Sequence, residues 1–293
     1  MARKRRRGGG LVAVLLLVAM GAAAAIWGPD LYRQHSYKLE SQNCTAAMGE
    51  YVDFKTAEQA NNAAIIAAVG MSYGFGVEGV TVALATAIQE SDLRNLDYGD
   101  RDSLGLFQQR PSQGWGTEEE VRDPHFASSK FYQALERVEG WETMAVTVAA
   151  QAVQRSGFPD AYADHEGEAL VWATALTGGA AIIDCHIDGA VVGSAKAFTD
   201  RINQDYGSGR YAVEIVDVDG DRTHVFVTPV DAGDQFESAA KSVREWAIAT
   251  ASETGATEAS GYGSVWTNGR GRSVVEIDDT DAPTGIDVII ATG

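Results

Sequence analysis

The sequence predicts an α+β protein in two parts, a mainly helical segment over residues 44–186 and a small α+β segment over 194–293 with one antiparallel sheet. Three observations carry this expectation. Apolar residues recur with helical spacing through most of 56–176. From Ser194 onward the pattern changes to two helices and alternating runs separated by turn residues. Ahead of both parts, a basic cluster followed by an apolar run predicts an N-terminal transmembrane helix.

The N-terminus divides into a basic tail (1–10), an apolar segment (11–27) and a polar stalk (28–43). Arg3, Lys4, Arg5, Arg6 and Arg7 precede Leu11–Ile26, an uncharged run of 16 residues closed by Trp27. A spanning helix needs about 20 residues, and Gly8–Gly10 with Trp27 can extend the run to that length. Positive charge before the run predicts a single pass across the cytoplasmic membrane, with everything after it outside. The strongly apolar Leu11–Val18 favours a retained anchor. The small residues Ala22–Ala25 leave open cleavage as a signal and secretion.

Thr56-Ala57-Glu58-Gln59 forms a capping-box start for a helix through about Met71, with Ala60, Ala63, Ala64, Ala67 and Ala68 on a close-packing face. Gly70, Gly74 and Gly76 end it, and a second helix follows from Val80. Further helices are expected near Asp123–Leu135, Trp141–Arg155 and Tyr162–Leu176. Cys44 and Cys185, the only cysteines, bracket this segment. Outside the membrane, two lone cysteines at the borders of one domain read as a disulfide, with two unrelated buried thiols as the alternative.

Beyond Ser194, a helix is expected over Ala195–Tyr206. Tyr211–Val218 and Thr223–Thr228 flank Asp219-Gly220 as a hairpin. A helix from Phe236 to about Glu253 comes next, then strands near Gly263–Thr267, Ser273–Asp278 and Ile286–Ala291. Asp217, Asp219 and Asp221 do not make a calcium loop, because Arg222 stands where that loop needs glycine.

The formal charge is −18, and removing the five basic residues of the tail leaves −23 for the remainder. A surface that acidic argues against nucleic acid as a partner and against a basic face gripping anionic lipid. The histidines (His35, His125, His165, His186, His224) lack metal-ligand spacing, so no metal is expected, and nothing calls for a cofactor. His165, in Asp164-His165-Glu166, reads as an exposed helix residue. No nucleophile or metal set supports a peptidase, and no protein partner is indicated.

The stretch from Val80 to Gly116 carries the chemistry. Apolar residues occupy every face of Val80–Ile88, so this helix is expected to be buried all round. A carboxylate at its last turn, Glu90, is half desolvated and faces the negative end of the helix dipole. Both effects favour the protonated form, which protonation of a leaving-group oxygen requires. Gln89-Glu90-Ser91-x-Leu93-Arg94-Asn95 followed by Ser103-Leu-Gly-Leu-Phe-Gln108 resembles the goose-type lysozyme and soluble lytic transglycosylase family. There a glutamate–serine pair precedes a GLMQ or GLFQ turn. The longer run through Gly116 looks like a branch of lysozyme-like proteins from high-GC Gram-positive bacteria.

The resemblance covers roughly residues 44–186 and implies a lysozyme-like fold acting on the glycan strands of peptidoglycan. It implies Glu90 as the catalytic acid, with Ser91, Ser103, Gly105, Phe107 and Gln108 along the sugar groove. Leu104, Leu106 and Phe107 equally read as core packing. The family's later AYNAG-type helix is missing; Gln151 stands where its asparagine would, and Tyr162 where a tyrosine contacts the glutamate. Most glycosidases need two carboxylates. Asp92, Asp97, Asp100 and Asp102 follow Glu90, but they also read as an ordinary solvated loop. The family manages with one glutamate, which protonates the glycosidic oxygen and then takes a proton from the muramic acid 6-hydroxyl, giving a 1,6-anhydro product. Hydrolysis and anhydro formation both stay open, as does a non-catalytic module that binds glycan as a scaffold. The 194–293 part resembles the α+β module found behind catalytic domains in actinobacterial wall hydrolases, through Glu245-Trp246-Ala247 and Val265-Trp266.

Overall fold

The computed structural model describes residues 42–157, 160–189, 191–275 and 284–293. The expected anchor over 11–27, and residues 276–278 of one expected strand, lie outside them. Among the described residues no helix is long and apolar enough to cross a membrane.

The chain is α+β throughout its described length. Strands β1 (Asn43–Met48) and β2 (Tyr51–Thr56) form a hairpin, and β3 (Ile182–His186) pairs antiparallel with β1. This three-stranded sheet was not expected in the helical segment. Cys44 and Cys185 face each other across β1 and β3 and are joined by a disulfide.

Helix α1 (Ala57–Ser72) starts at the expected capping box: Gln59 N–H donates to the Thr56 hydroxyl and Thr56 N–H donates to Gln59 Oε1. It runs through Gly70 without a break. A Cβ there would sit 2.5 Å from the Tyr132 ring, so glycine permits close approach rather than ending the helix. Helix α2 (Val77–Ser91) follows, then α3 (Glu118–Arg122), α4 (Pro124–Leu135), α5 (Val146–Gln154) and α6 (Glu166–Leu176). Two expected helices start with short 3-10 turns instead, Trp141–Thr143 before α5 and Ala161–His165 before α6.

The later part contains α7 (Ala195–Tyr206), the β4 (Tyr211–Asp219) and β5 (Arg222–Pro229) hairpin, α8 (Phe236–Ala249) and α9 (Ala251–Thr254). Strands β6 (Ala256–Gly261), β7 (Ser264–Thr267), β8 (Gly271–Val274) and β9 (Ile286–Ala291) complete an antiparallel sheet in the order β4-β5-β9-β6-β7-β8. Gly220 turns the β4–β5 hairpin at φ 59°, as Asp219-Gly220 predicts.

Residues 42–293 form one compact unit, and the packing runs across the boundary expected near 187–193. Helix α8 is the reason. It packs on the six-stranded sheet and, in the other direction, on α1, α6 and β3, so residues 242–250 are buried without interruption. Its polar groups are tied across the same boundary. Glu245 accepts the Ile183 amide at 2.7 Å, and the Ser242 hydroxyl donates to the Leu176 carbonyl at 2.6 Å. Asp205 on α7, buried, accepts from Trp246 Nε1 and contacts His125 Nε2 on α4, both at 2.7 Å.

A shared core melts as a shared core. Scanning calorimetry should give a single cooperative transition for residues 42–293, and reduction of Cys44–Cys185 should lower that whole transition. The loop closed spans 141 residues, for which the chain-entropy model allows up to about 5 kcal/mol. Two transitions, of which only one responds to reductant, would contradict the shared core.

Candidate active site

Helix α2 is buried continuously from Gly79 to Ile88, as the all-round apolar pattern predicts. Its two buried threonines return their hydroxyls to the helix, Thr81 to the Val77 carbonyl and Thr86 to the Val82 carbonyl, each at 2.7 Å. They therefore cost no unsatisfied polar group. The helix stops because Asp92 and Leu93 both adopt left-handed backbone conformations, at φ 54° and 56°. Side chains of α1 hold this costly pair: Gln59 Nε2 donates to the Asp92 carbonyl at 2.7 Å and Asn62 Nδ2 to the Leu93 carbonyl at 2.8 Å. Glu90 thus sits in the last turn of a core helix whose end cannot shift.

The segment after it folds back as a tight hairpin. Leu104 and Gln109 exchange backbone hydrogen bonds at 3.1 and 3.0 Å, and Gly105 N–H donates to the Leu96 carbonyl at 2.8 Å. Gly105 has φ 76°, and a Cβ there would lie 2.1 Å from the Val121 carbonyl oxygen. Of the seven non-glycine residues with positive φ among those described, Asp92, Leu93, Arg101, Gln108 and Arg155 belong to the segments that bracket Glu90. Backbone strain of this kind collects at functional sites, where the surroundings over-determine it.

Two other elements converge on the half-buried Glu90 carboxyl. The hydroxyl of Tyr162, from the Ala161–His165 turn, donates to Oε1 at 2.7 Å. The Gln154 side chain, at the end of α5, also hydrogen-bonds Glu90. Burial raises the Glu90 pKa above the ordinary glutamate value, and the bonds from Tyr162 and Gln154 offset only part of that rise. Tyr162, fully buried, is pushed well up by burial and then by the Glu90 charge, so it stays a hydroxyl donor.

The expected groove residues separate by role. Ser91 is buried, its hydroxyl engaged with the Leu106 carbonyl at 2.7 Å and the Ala87 carbonyl at 3.0 Å, so it ties α2 to the hairpin. Ser103 and Gly105 are buried within the hairpin. Phe107 is buried and stacks on Phe131 at 4.8 Å, which is core packing. Gln108 Nε2 donates to the carbonyls of Tyr98 and Gly105 at 3.3 and 3.2 Å, bracing the loop from inside. Gln151 donates to the Ser156 carbonyl at 2.9 Å, and its Oε1 is buried without a hydrogen-bond partner. Gln154, one turn along the same face, is the glutamine that meets Glu90, and its Nε2 also reaches the Phe107 carbonyl at 2.8 Å.

The downstream aspartates serve the loop. Asp102 accepts from Ser112 N–H and Arg110 Nε, each at 2.8 Å, and the Ser112 side chain and backbone, followed by Arg110, hold its carboxyl well below the usual range. Asp97 and Asp100 are exposed, and Asp92 is the end of α2. His165 is not the exposed helix residue that its neighbours predict: its ring bridges Glu168 and Gln89. Among the described residues no cluster of histidine, cysteine and carboxylate side chains has metal-binding geometry. A cavity of about 670 Å³ opens near Met71, Val77, Tyr206 and Tyr211. It lies at the opposite end of α2, about 20 Å away at 1.5 Å per residue, and is not the surroundings of Glu90.

Compared with known proteins, the chain matches no protein-family model and no curated protein.

The hairpin that braces the site has one position where only glycine fits. Gly105→Ala combines a disfavoured φ with a backbone collision, and should cost more than about 1 kcal/mol. Gly114→Ala, also at positive φ but in open space, should cost less. Chemical denaturation of the two variants provides the comparison, and equal losses would contradict the packing described for Gly105.

Proposed function

We propose that this protein cleaves the glycan strand of peptidoglycan as a lytic transglycosylase or lysozyme-like glycosidase, with Glu90 as the proton donor. The observation that carries the reading is the carboxyl itself: burial raises its pKa, and Tyr162 and Gln154 hold it in place. A hydroxyl donor on Oε1 leaves Oε2 as the oxygen that carries and delivers the proton. Protonating the glycosidic oxygen breaks its bond to the sugar carbon and releases the leaving sugar as an alcohol. The carboxylate then takes the proton of the muramic acid 6-hydroxyl as that oxygen closes on the same carbon, forming the 1,6-anhydro ring.

Support for anhydro formation over hydrolysis comes from the groups acting on Glu90. They are burial, a phenol and an amide, and no carboxylate of the described residues is among them. An inverting or retaining hydrolase sets its second carboxylate across the scissile bond. The reading includes a location outside the cytoplasm, tethered by residues 11–27, in keeping with the Cys44–Cys185 disulfide.

The experiment is muropeptide release by wild type and Glu90→Gln at matched folded fractions. Loss of general acid catalysis should reduce release about 10²- to 10⁴-fold. The sign of the pH effects follows from the raised pKa. The acid form, and with it activity, is present at low pH and lost as pH rises through the folded-state value. The stability contributed by the neutral carboxyl is lost over the same window, so Glu90→Gln should fold at least as stably as wild type near neutral pH. Equal release by the two proteins would remove Glu90 from the chemistry. No release by either, with glycan still bound by both, would make the protein a binding module.

A further inference from the structure

The Ala161–His165 turn meets the end of α2 at two places. Tyr162 reaches Glu90, and His165 reaches Gln89, the residue immediately before it. In a 3-10 turn, side chains three apart eclipse, so Tyr162 and His165 project from the same side of the turn onto consecutive residues of α2. The second contact is the outer end of a largely buried chain of charges. His165 Nδ1 lies 2.6 Å from Glu168 Oε1, and Lys55 Nζ donates to Glu168 Oε2 and Asp53 Oδ2, both at 2.6 Å. Asp53 Oδ2 also accepts from Trp172 Nε1 at 2.8 Å. Lys55 is 2% exposed.

Burying charges on this scale is costly unless every partner is present, so the arrangement tolerates little displacement. Burial alone would raise Glu168, but the hydrogen bond from His165 and the Lys55 charge hold it well below the ordinary carboxylate range. The two ring nitrogens of His165 meet Glu168 Oε1 and Gln89 Oε1 at once, at 2.6 and 2.9 Å. The chain therefore fixes the turn from β2 and α6, through His165, onto α2.

We propose that His165 is a positioning residue for Glu90: by bridging Glu168 to Gln89 it locks the turn whose other inward side chain, Tyr162, holds the Glu90 carboxyl. Its catalytic consequence rests on the function proposed above, whereas its effect on Glu90 does not. Releasing the turn lengthens the Tyr162–Glu90 bond, and with that bond goes part of what lowers the Glu90 pKa.

The test is the titration of the Glu90 carboxyl by ¹³C NMR in the full chain labelled at the glutamate side-chain carboxyl carbon. The Glu90 signal is assigned by its loss in Glu90→Gln. His165→Ala should move the Glu90 midpoint upward, as Tyr162→Phe does, and the double variant should titrate like Tyr162→Phe alone. Gln89→Ala, at an exposed position, removes the same contact from the α2 side without removing a charge. It should shift the midpoint in the same direction, and it carries the test if His165→Ala does not fold. Where wild type releases muropeptides, His165→Ala should lower kcat about 10- to 100-fold with little change in KM. An unmoved midpoint in His165→Ala or Gln89→Ala overturns the proposal, as do shifts that add in full to that of Tyr162→Phe. Normal titration shifts with no muropeptide release by wild type would instead leave His165 in its role and remove the glycan-cleaving function.

Discussion

The constraint on which the rest of this structure depends is the all-round burial of α2. A helix with no solvent face must be enclosed by other elements, and α1, α4, α5, α6 and the Ala161–His165 turn supply the enclosure. Its C-terminal carboxyl is half withdrawn from water as a consequence, and the rise in the Glu90 pKa follows from that withdrawal. Stopping such a helix within the core requires two left-handed residues, and α1 compensates through Gln59 and Asn62. Gln59 belongs both to the capping box that starts α1 and to the contact that secures the end of α2. The geometry at Glu90 is thus set partly by a residue 31 positions earlier in the chain.

What was legible in the sequence was local. The capping box at Thr56 and Gln59, the Asp219-Gly220 turn and the apolar faces of α2 are read from short-range spacing, and each stands as expected. The pairing of Cys44 with Cys185 followed from number and position alone. Glu90 and Tyr162 were legible through motif spacing, and their contact is direct. What was not legible depends on long-range packing. Strands β1, β2 and β3 are short, and β1 (Asn-Cys-Thr-Ala-Ala-Met) carries no alternation strong enough to separate it from a helix start. The burial of α8 on every side reflects partners more than 170 residues earlier, so the change of pattern at Ser194 did not reveal one shared core. Gln151 and Gln154 lie on one face of α5, and only the rotation of that helix decides which meets Glu90. His165 has charged neighbours in sequence, which reads as exposure, while its contacts in space are a carboxylate and an amide held by the core.

Several motif residues brace the site instead of lining it. Ser91 ties α2 to the hairpin, Phe107 packs on Phe131, and Gln108 holds the carbonyls of Tyr98 and Gly105. A motif can therefore specify the geometry around one carboxyl through residues that brace it from within the fold. One carboxyl, one phenol and one amide meet at the centre, and no carboxylate charge is among the groups that shift Glu90.

That chemistry makes a sharp claim about the product. If Glu90 alone performs both proton transfers, the new bond at the cleaved carbon is made by the sugar's own 6-hydroxyl, and water contributes nothing. Digestion of peptidoglycan in water enriched in oxygen-18, followed by mass spectrometry of the released fragments, reads this directly. The account predicts 1,6-anhydro ends carrying no heavy oxygen. Reducing ends labelled with oxygen-18 would contradict it and require a group that activates water.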